Sequence, residues 1–556
     1  MDWQAGASNA GGSATVARYR IGFDIGGTFT DFILHDGAAG TIRLHKCLTT
    51  SDDPSRGALD GLVELTREAG IALADVGALI HGTTLVTNAI IERRGARLAF
   101  LTTKGFRDTL EMGIEQRYDI YDLFLRFPAP LVARRDIVEI DERIAHDGRI
   151  VRRLSTTGLV ERLRAFEAQG IEAIAVSLLH SYANPTHERA LGELLARECP
   201  GIPVSLSCEV VPELREYERG TTTTANAYVR PLFDRYLGRL EEALRARGFK
   251  GRLLLMQSSG GLATPELARR FPIRLLESGP AGGALATALF GRLAGRGDVI
   301  SFDMGGTTAK TCLVVDGKID VAAGMEAGRV HRFKKGSGLP IKAPVIDMIE
   351  IGAGGGSIAA IDEVGLLKVG PRSAGADPGP ACYGRGGTEP TVTDANLLLG
   401  YLDPGFFLGG RMSLDGAAAE RAMAKVATPL KLSAVEAAAG IFAVVSESMA
   451  AAARVHLVEK GHDPRRHAMV GFGGAGPAHA ARVARILGVG EVIVPPASGA
   501  ASALGFLAAP PGVELSRSAG GVLGAGFDFD AGNRLLAELE AEGRARLAAA
   551  DVPAEE

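Results

Sequence analysis

The sequence has few of the features that mark several common classes of protein. Its five cysteines among 556 residues are dispersed and form no C-x-x-C pair, which argues against a zinc ribbon or a disulfide framework. No stretch reaches about 18 uninterrupted apolar residues, so no membrane span is predicted. The 61 basic and 65 acidic residues nearly balance and form no basic block, so a nucleic-acid role has little electrostatic support. These absences predict a cytoplasmic protein that acts away from membranes and nucleic acids.

What the chain does contain is glycine, at 73 residues, clustered in short runs between apolar segments. This pattern indicates tight backbone turns between strands and helices that alternate, which is typical of an α/β architecture. The length predicts two or three domains. Residues 1–18 lack the basic start and apolar core of a signal peptide and are expected to form a loose tail. The stretch 212–247 reads as mostly helical, with interruptions at Gly220 and Pro231.

An internal repeat is the clearest signal of organisation. The six residues Phe23–Thr28 recur almost unchanged as Phe302–Thr307, and each copy follows one apolar strand and precedes another. A separation of 303 − 24 = 279 residues is too long for a solenoid repeat. The repeat therefore predicts two related half-molecules that face each other.

The repeated D-x-G-G-T turn suits the binding of phosphate. Paired glycines let backbone N–H groups approach an anion closely, and the threonine adds a hydroxyl donor. The aspartate at the strand end can hold a hydrated Mg²⁺ or orient a water molecule. We therefore assign Asp24 and Asp303 to metal binding and catalysis. The residues expected to hold phosphates are Gly26, Gly27, Thr28, Gly305, Gly306, Thr307 and Thr308.

A third glycine-rich segment, Gly471–Gly476, formally matches the dinucleotide-binding pattern G-x-G-x-x-G. That interpretation requires an acidic residue at the end of the next strand, whereas here Glu491 precedes the strand and two prolines follow it. We therefore predict that Gly473, Gly474 and Gly476 flank an adenosine.

These segments resemble those of a known superfamily and of one family within it. The order of first phosphate loop, second phosphate loop and adenosine loop is similar to that of actin, sugar kinases and heat-shock chaperones. More narrowly, the chain resembles the hydantoinase A/oxoprolinase family over roughly residues 19–510. The segments that carry this resemblance are Phe23–Asp31, His81–Thr84, Thr87–Ala89, Thr102–Asp108, Glu277–Gly283, Ile351–Ser357, Asp377–Gly384 and Thr393–Asn396.

The resemblance implies a duplicated actin-like (sugar-kinase-like, ribonuclease H-like) ATPase fold around a nucleotide cleft. We expect a first half over residues 19–225 with a family-specific insert, a second half over 226–515, and the start of a truncated or absent C-terminal domain over 516–556. The implied activity is ATP-dependent, with Mg²⁺, on the carbonyl of a cyclic amide such as a hydantoin or 5-oxoproline. A hydantoinase B-type subunit is the implied partner.

Substrate-side residues are predicted from their type and the resemblance. His81, at a turn, is interpreted as a catalytic group in the cleft, with a turn-fixing role as the alternative. Arg117 could recognise a substrate carboxylate by a bidentate contact, or it could be a solvated arginine. Thr83 and Asn88 complete the substrate set. Some relatives carry a histidine where this chain has Met348–Glu350, so a metal or substrate role is not transferred to those positions.

Two other functions stay open at this point. One is a carboxylase subunit of the acetone type, in which ATP activates a ketone together with bicarbonate. The other is a nucleotide-switched chaperone or scaffold, although such a switch has no need of the family segments outside the nucleotide loops.

Overall fold

The computed structural model describes residues 18–26, 29–50, 53–331, 334–520, 524 and 528–549. In the first part of the chain the strands and helices are β1 (Tyr19–Ile25), β2 (Phe29–Asp36), β3 (Thr41–Leu48), α1 (Pro54–Ala69), β4 (Val76–Thr83), α2 (Leu85–Ile91), β5 (Leu98–Thr103), α3 (Thr109–Met112), β6 (Ile137–Ile140), β7 (Arg143–Ile144), β8 (Ile150–Arg152), α4 (Leu159–Ala168), β9 (Ala173–Ser177), α5 (Thr186–Glu198), β10 (Val204–Leu206), α6 (Ser207–Val210), α7 (Glu216–Ala246), β11 (Arg252–Met256), β12 (Leu262–Ala263), α8 (Pro265–Arg270) and α9 (Ser278–Leu293).

The rest of the chain is built in the same alternating manner. Its strands and helices are β13 (Val299–Met304), β14 (Ala309–Val315), β15 (Lys318–Ile319), β16 (Val321–Ala322), β17 (Met325–Ala327), β18 (Leu339–Ile341), β19 (Val345–Ile346), β20 (Met348–Ile351), β21 (Ser357–Ile361), β22 (Leu367–Ser373), α10 (Val392–Leu398), α11 (Gly416–Leu430), α12 (Ala434–Glu459), β23 (Ala468–Phe472), α13 (Gly476–Leu487), β24 (Val492–Ile493), α14 (Ala501–Ala508) and α15 (Phe529–Ala549).

Two sheets share one topology, which confirms the duplication predicted from the repeat. The first has the order β12-β11-β4-β1-β2-β3, and the second has the order β15-β14-β13-β23-β24, with β20 also paired to β14. In each half the first three strands form an antiparallel meander. The next two strands of the half then add to the sheet parallel to the first strand. The repeated turns therefore occupy equivalent places, at the first hairpin of each half.

A smaller parallel sheet, in the order β10-β9-β5-β6, lies within the first half, and we call this sheet with its helices α4 and α5 the insert. Its strands are buried on both sides, and an apolar cluster of their side chains packs with α4 and α5. Helix α7 contacts β9 in this insert and α1 and α2 in the first half. One continuous helix thus joins the insert to the sheet that carries the first turn.

The predicted interruptions of α7 are wrong. The helix passes through Gly220 and Pro231, although a proline inside a helix costs about 3 kcal/mol. Burial of one face of the helix, including Phe233, offsets this local cost. A Cβ at Gly220 would lie 3.2 Å from Leu110 and 3.4 Å from Phe100, so this glycine serves close packing of the helix against the insert.

The predicted boundary between residues 225 and 226 lies inside α7 and has to be moved. Strands β11 and β12 still belong to the first sheet, so the two sheets are divided between α9 and β13. The predicted tail at residues 1–18 lies almost wholly outside the described residues. From residue 516 onward the described residues include one helix, α15, and Ser516 is hydrogen-bonded to Glu213 at 2.6 Å.

Helices α9 and α14 pack between the two sheets and join them into one core. A buried cluster contains Ile80 of the first sheet, Val470 of the second, and Ala284 and Phe506 of the two helices. A Cβ at Gly505 would lie only 1.8 Å from the carbonyl oxygen of Gly282, so the two helices cross in close contact. This crossing sets the spacing of the two halves.

Helix α12 is the one helix among the described residues that is long and apolar enough to cross a membrane. It packs against α10, α11, α13, β20 and β22, and its buried face contributes to the core of the second half. A core helix passes the same test of length and composition, so these contacts give α12 a sufficient structural role.

Candidate functional site

The two repeated turns close with the same hydrogen bond. The N–H of Gly26 donates to the carbonyl of Phe29 at 3.0 Å, and the N–H of Gly305 donates to the carbonyl of Thr308 at 3.0 Å. In the second turn Gly306 and Thr307 are exposed, as a phosphate-binding turn requires. Gly27 and Thr28 lie outside the described residues. The two turns are thus equivalent in sequence and in the hydrogen bond that closes them.

Beside each turn, a row of charged side chains crosses the sheet. In the first sheet Asp24 pairs in register with Asp31, which pairs with Lys46. In the second sheet Asp303 pairs with Lys310, which pairs with Glu350. Directly paired residues in a sheet share one face, so each row is continuous. The sequence analysis identified only the first member of each row.

Helix α9 brings the two rows together. A Cβ on Gly279 would lie 2.9 Å from Oδ2 of Asp24, and a Cβ on Gly283 would lie 3.6 Å from Oδ2 of Asp303. These glycines are four residues apart, hence on one face of the helix. Both aspartates therefore approach one helix face, one turn apart.

The aspartates are held in an unfavourable electrostatic setting. The pKa of Asp24 is raised to about 7, chiefly by burial and also by the charges of Asp31 and Asp303, whereas Lys310 and Lys46 oppose the shift. Burial raises the pKa of Asp303 to about 6, against the effect of Lys310. Oδ1 of Asp24 is buried and lacks a hydrogen-bond partner among the described residues. Such clustering of perturbed carboxyls is typical of a functional site.

These residues fit a magnesium ion that arrives with phosphate groups. Mg²⁺ prefers oxygen ligands, keeps several waters, and is held by one or two carboxylates together with substrate phosphates. The described residues contain no group of three His, Cys, Asp or Glu side chains able to cage a metal by themselves. The free Oδ1 of Asp24 and the raised carboxyl pKa values are what a cation would relieve.

The electrostatic cost of Asp24 predicts a pH-dependent stability in the absence of nucleotide and metal. The carboxyl has a pKa of about 7 when folded and 3.8 as a model value. Between these values the folded state binds more protons than the unfolded state, so stability falls as pH rises from about 4 to 7. Asp24→Asn removes the titrating carboxyl and with it this loss of stability. At neutral pH the melting temperature of the variant is therefore expected to exceed that of wild type.

The advantage of Asp24→Asn is expected to be largest above pH 7, on the order of 2 kcal/mol, and to disappear near pH 4. Thermal unfolding of both proteins in a chelator, from pH 4 to 8, measures it. An advantage that is constant across this pH range would contradict the predicted cost.

The segment Gly354–Gly356 packs directly on the second turn. The N–H of Gly355 donates to the carbonyl of Gly305 at 3.0 Å, and the N–H of Gly356 donates to the carbonyl of Gly306 at 2.6 Å. A Cβ at Gly354 would lie 2.6 Å from the backbone of Thr307. The backbone of this segment therefore packs on the second turn and holds it in place.

The predicted adenosine loop also lies against the second half of the site. A Cβ on Gly473 would lie 2.4 Å from Oδ1 of Asp303, and the N–H of Ala475 donates to the carbonyl of Met304 at 2.9 Å. Gly476, at the start of α13, would bring a Cβ within 3.3 Å of the Met304 backbone. Gly474 is exposed and has nothing within 4 Å of a Cβ.

Gly474 therefore offers a clean test of the adenosine prediction. Gly474→Val adds a side chain in open space, so the fold is expected to persist while the base or ribose loses its room. We expect ATP affinity to fall at least about tenfold, about 1.4 kcal/mol, with no gain or loss of NAD binding. Calorimetric titration with both nucleotides measures this, with Gly490→Val, also in open space, as the control. Micromolar NAD binding would contradict the prediction.

His81 is placed away from these groups, and its predicted catalytic role has no support in its surroundings. It pairs in register with Phe23, so it lies on the opposite face of the sheet from Asp24. Its Nε2 lies 2.7 Å from the Tyr236 hydroxyl, and its ring stacks on Phe23 at 4.4 Å. Burial lowers the pKa of His81 to about 3. These are the contacts of a neutral core histidine.

The three predicted substrate residues are not gathered in one place. Thr83 is buried beside the site, and its N–H donates to Ser278 Oγ at 2.9 Å, which attaches β4 to the start of α9. Asn88 is exposed on α2 and donates to Thr84 Oγ1 at 3.4 Å. Arg117 lies in an exposed loop and donates to the carbonyl of Asp122. Of the three, Thr83 alone contacts α9.

The duplicated topology and the paired turns define the class of fold that was predicted, the actin-like ATPase fold. Two family profiles match the chain. The profile described as hydantoinase/oxoprolinase covers residues 219–514, and the one described as hydantoinase/oxoprolinase N-terminal region covers residues 20–199. The chain belongs to the hydantoinase/oxoprolinase family.

Relatives of known activity are similar along most of this chain. It is 37% identical over 495 residues to the caprolactamase subunit alpha of Pseudomonas jessenii, covering 88% of this chain and 70% of that protein. It is 35% identical to 5-oxoprolinase 1 of Arabidopsis thaliana, covering 89% of this chain and 42% of that protein. The chain thus spans less than half of the plant enzyme.

Two solved structures are similar in fold. The crystal structure of ATP-dependent caprolactamase from Pseudomonas jessenii superposes with a TM-score of 0.80 and 35% identity, covering 95% of this chain and 76% of that one. The nucleotide-free structure from a study of ATP-dependent acetone carboxylation superposes with a TM-score of 0.75 and 28% identity, covering 89% and 71%.

Proposed function

We propose that this chain is the ATP-hydrolysing subunit of an amidohydrolase that opens a cyclic amide, such as a hydantoin, 5-oxoproline or a related lactam. The observation that carries the proposal is the pair of equivalent turns whose aspartates converge on α9. Two such turns can hold the phosphates of one nucleotide from opposite sides. The identity to caprolactamase and 5-oxoprolinase supports a cyclic amide as the substrate.

The proposed chemistry overcomes the poor reactivity of an amide carbonyl. The carbonyl oxygen attacks the terminal phosphorus of ATP, the bond to ADP breaks, and the phosphorylated amide becomes open to attack by water. The net reaction breaks the ring C–N bond and releases ADP and phosphate. Phosphoryl transfer of this kind depends on positioning and charge neutralisation more than on covalent catalysis by the protein.

The residues divide this work. Asp24 and Asp303 would hold Mg²⁺, whose charge offsets that of the phosphates. The turns at Gly26–Thr28 and Gly305–Thr308 would hold the phosphates by their N–H and hydroxyl groups, and Gly473, Gly474 and Gly476 would flank the adenosine. His81 has no part in this scheme, because it lies on the other face of the sheet.

A carboxylase subunit of the acetone type is the second candidate. The similarity of fold to acetone carboxylase, with 28% identity, is the observation that favours it. Both activities use ATP to phosphorylate an oxygen atom of a reactant. Water then attacks the activated amide carbonyl in the amidohydrolase, whereas in the carboxylase a ketone-derived carbon forms a bond to the carbon of bicarbonate and phosphate is released. The residues that we assign to ATP serve both equally.

The test is ATP hydrolysis measured against a panel of lactams, hydantoins and ketones, each with and without bicarbonate. The amidohydrolase proposal expects ADP release to rise at least tenfold with one of the cyclic amides, independently of bicarbonate. Stimulation by a ketone only when bicarbonate is present would favour the carboxylase. Slow hydrolysis that responds to none of these compounds, together with binding of unfolded peptides, would indicate a chaperone.

A further inference from the structure

The two charge rows differ in sign at equivalent positions. Seven residues after the first turn aspartate the chain has Asp31, and seven residues after the second it has Lys310. Their neighbours on the next strand also differ, since Lys46 pairs with Asp31 and Glu350 pairs with Lys310. The duplicated scaffold therefore places a cation beside the aspartate in the second half only.

The two lysines are held in different ways. Lys46 forms an ion pair with Asp31, donates to the carbonyl of Gly499 at 3.3 Å, and lies over the ring of Phe29 at 4.9 Å. It is thus fixed by three contacts, two within the first half and one to Gly499 of the second half, which suits a counter-ion for Asp31.

Among the residues that the structure describes, Lys310 has one ion-pair partner, Glu277, at 2.9 Å. Its side chain also lines a small cavity together with Asp303, Gly283 and Phe472. The Lys310 ammonium is held by one ion pair, and it faces a small cavity that Asp303 also lines. It could therefore turn from Glu277 toward a ligand in that cavity.

We propose that Lys310 binds a terminal phosphate oxygen of the nucleotide and exchanges its contact with Glu277 for this contact. This inference rests on the proposed function. An ammonium carries three donors and a compact charge, which suits phosphate oxygens, and it neutralises charge that two aspartates beside it would repel. The nucleotide therefore lies with its terminal phosphates toward the second turn.

The exchange also ties phosphate binding to the contact between the halves. Glu277 directly precedes α9, and its N–H donates to Ser258 Oγ at 2.9 Å on the side of the first sheet. Lys310 lies on β14 of the second sheet. When the ammonium turns to phosphate, one ion pair between the first-half segment and the second sheet is released.

The competing explanation is that the ion pair between Lys310 and Glu277 only stabilises the fold. Replacing each partner separately distinguishes this explanation from phosphate binding. If the pair only stabilises the fold, Lys310→Met and Glu277→Gln should have the same effect on nucleotide binding. If Lys310 binds phosphate, Lys310→Met should weaken binding, whereas Glu277→Gln should leave it unchanged or strengthen it, because a competitor for the ammonium is gone.

The experiment is calorimetric titration of the full chain with magnesium and a non-hydrolysable ATP analogue, and separately with adenosine. For Lys310→Met we expect at least tenfold weaker binding of the analogue, about 1.4 kcal/mol, with adenosine affinity within twofold of wild type. Lys342→Met is the matched control, because Lys342 is similarly exposed (25% against 21%) and pairs with Glu213 at 3.1 Å. Its analogue affinity should stay within twofold of wild type.

Lys310→Gln is the second neutral variant, and circular dichroism with thermal unfolding checks the fold of each protein. Analogue affinity within twofold of wild type for a folded Lys310 variant would overturn the inference, as would equal losses in Lys310→Met and Glu277→Gln. Failure of both neutral variants to fold would assign the lysine to stability and overturn it too. Absence of analogue binding by wild type would instead refute the proposed function.

Discussion

Asp24→Asn and Asp303→Asn are each expected to lower the rate of ATP hydrolysis at least tenfold, a barrier increase of about 1.4 kcal/mol or more. Asparagine keeps the shape of aspartate but loses the anionic oxygen that a magnesium ion needs. Both carboxyls are strained by burial, with pKa values raised to about 7 and about 6, so their neutralisation should not unfold the protein. The loss should therefore appear in the turnover of a folded protein, and the melting temperature should not fall below that of wild type.

Glu363→Gln is the control for these variants, because Glu363 is an exposed carboxylate away from both turns. Its turnover should match that of wild type. The double variant Asp24→Asn/Asp303→Asn should lose less than the product of the single effects, since both aspartates would act on one bound metal–phosphate group. Near-normal turnover in both single variants would contradict the assignment of the two turns, and a loss in only one would restrict the metal to that half.

Full ring opening is expected only when a second subunit is present, and this is the other large effect. The relatives include proteins named as subunits, among them caprolactamase subunit alpha and acetone carboxylase beta subunit. The groups identified here all suit work on ATP, and His81, the one histidine predicted to be catalytic, is buried in the core. A phosphorylated amide is also labile in water, so transfer within a closed complex protects it.

Co-expression with a hydantoinase B-type protein from the same source tests this expectation. Product formation should rise at least a hundredfold over that of the isolated chain, while ATP binding is the same in both. Ring opening by the isolated chain at the rate of the complex would contradict it. The missing chemistry would then lie in residues interpreted as structural, of which His81 is the first to re-examine.

An exposed apolar loop offers a sharper form of the same test. Between residues 118 and 127 the side chains of Ile120, Tyr121, Leu123 and Phe124 are 66–88% exposed. The loop is nevertheless ordered by its own bonds, including Tyr118 Oη to the carbonyl of Arg126 at 2.7 Å. Exposed clusters of this kind mark interaction sites. Within the loop the acidic residues Asp119 and Asp122 outnumber the basic Arg126, which favours a protein partner over an anionic membrane.

We therefore expect Tyr121→Ser/Phe124→Ser to abolish co-purification with the hydantoinase B-type subunit while ATP binding persists. The matched control is Val364→Ser, another apolar side chain that is 78% exposed but lies elsewhere on the surface. Unchanged complex formation by the double variant would place the interface on another surface. Weakened ATP binding would show that the substitutions act on the nucleotide cleft.

The local features of the nucleotide site could be predicted because each is short. A strand that ends in Asp-x-Gly-Gly-Thr and is followed by another strand specifies a hairpin turn by itself, and two copies imply a duplicated fold. The equivalent bonds at Gly26 and Gly305 and the shared sheet order agree with that reasoning. The offset of seven residues that relates Asp31 to Lys310 was also present in the sequence, although its meaning depends on the strand register.

His81 and α7 show where such reasoning fails. A histidine at a strand end looks the same in sequence whether it faces a cleft or the core, and the pairing of β4 with β1 decides between them. Gly220 and Pro231 are local helix breakers, yet the packing of α7 against the insert and the first sheet offsets their cost.

The sequence by itself determined the family, the duplicated fold and the position of the two D-x-G-G-T turns, because these depend on contiguous residues. The tertiary structure alone decided that Asp24 and Asp303 approach one face of α9, that Asp31 lies beside Asp24 but Lys310 beside Asp303, and that His81 lies on the other face of its sheet. Those relations join residues that are tens to hundreds of positions apart, and they arise only when sheet register and the crossing of α9 with α14 are set by packing.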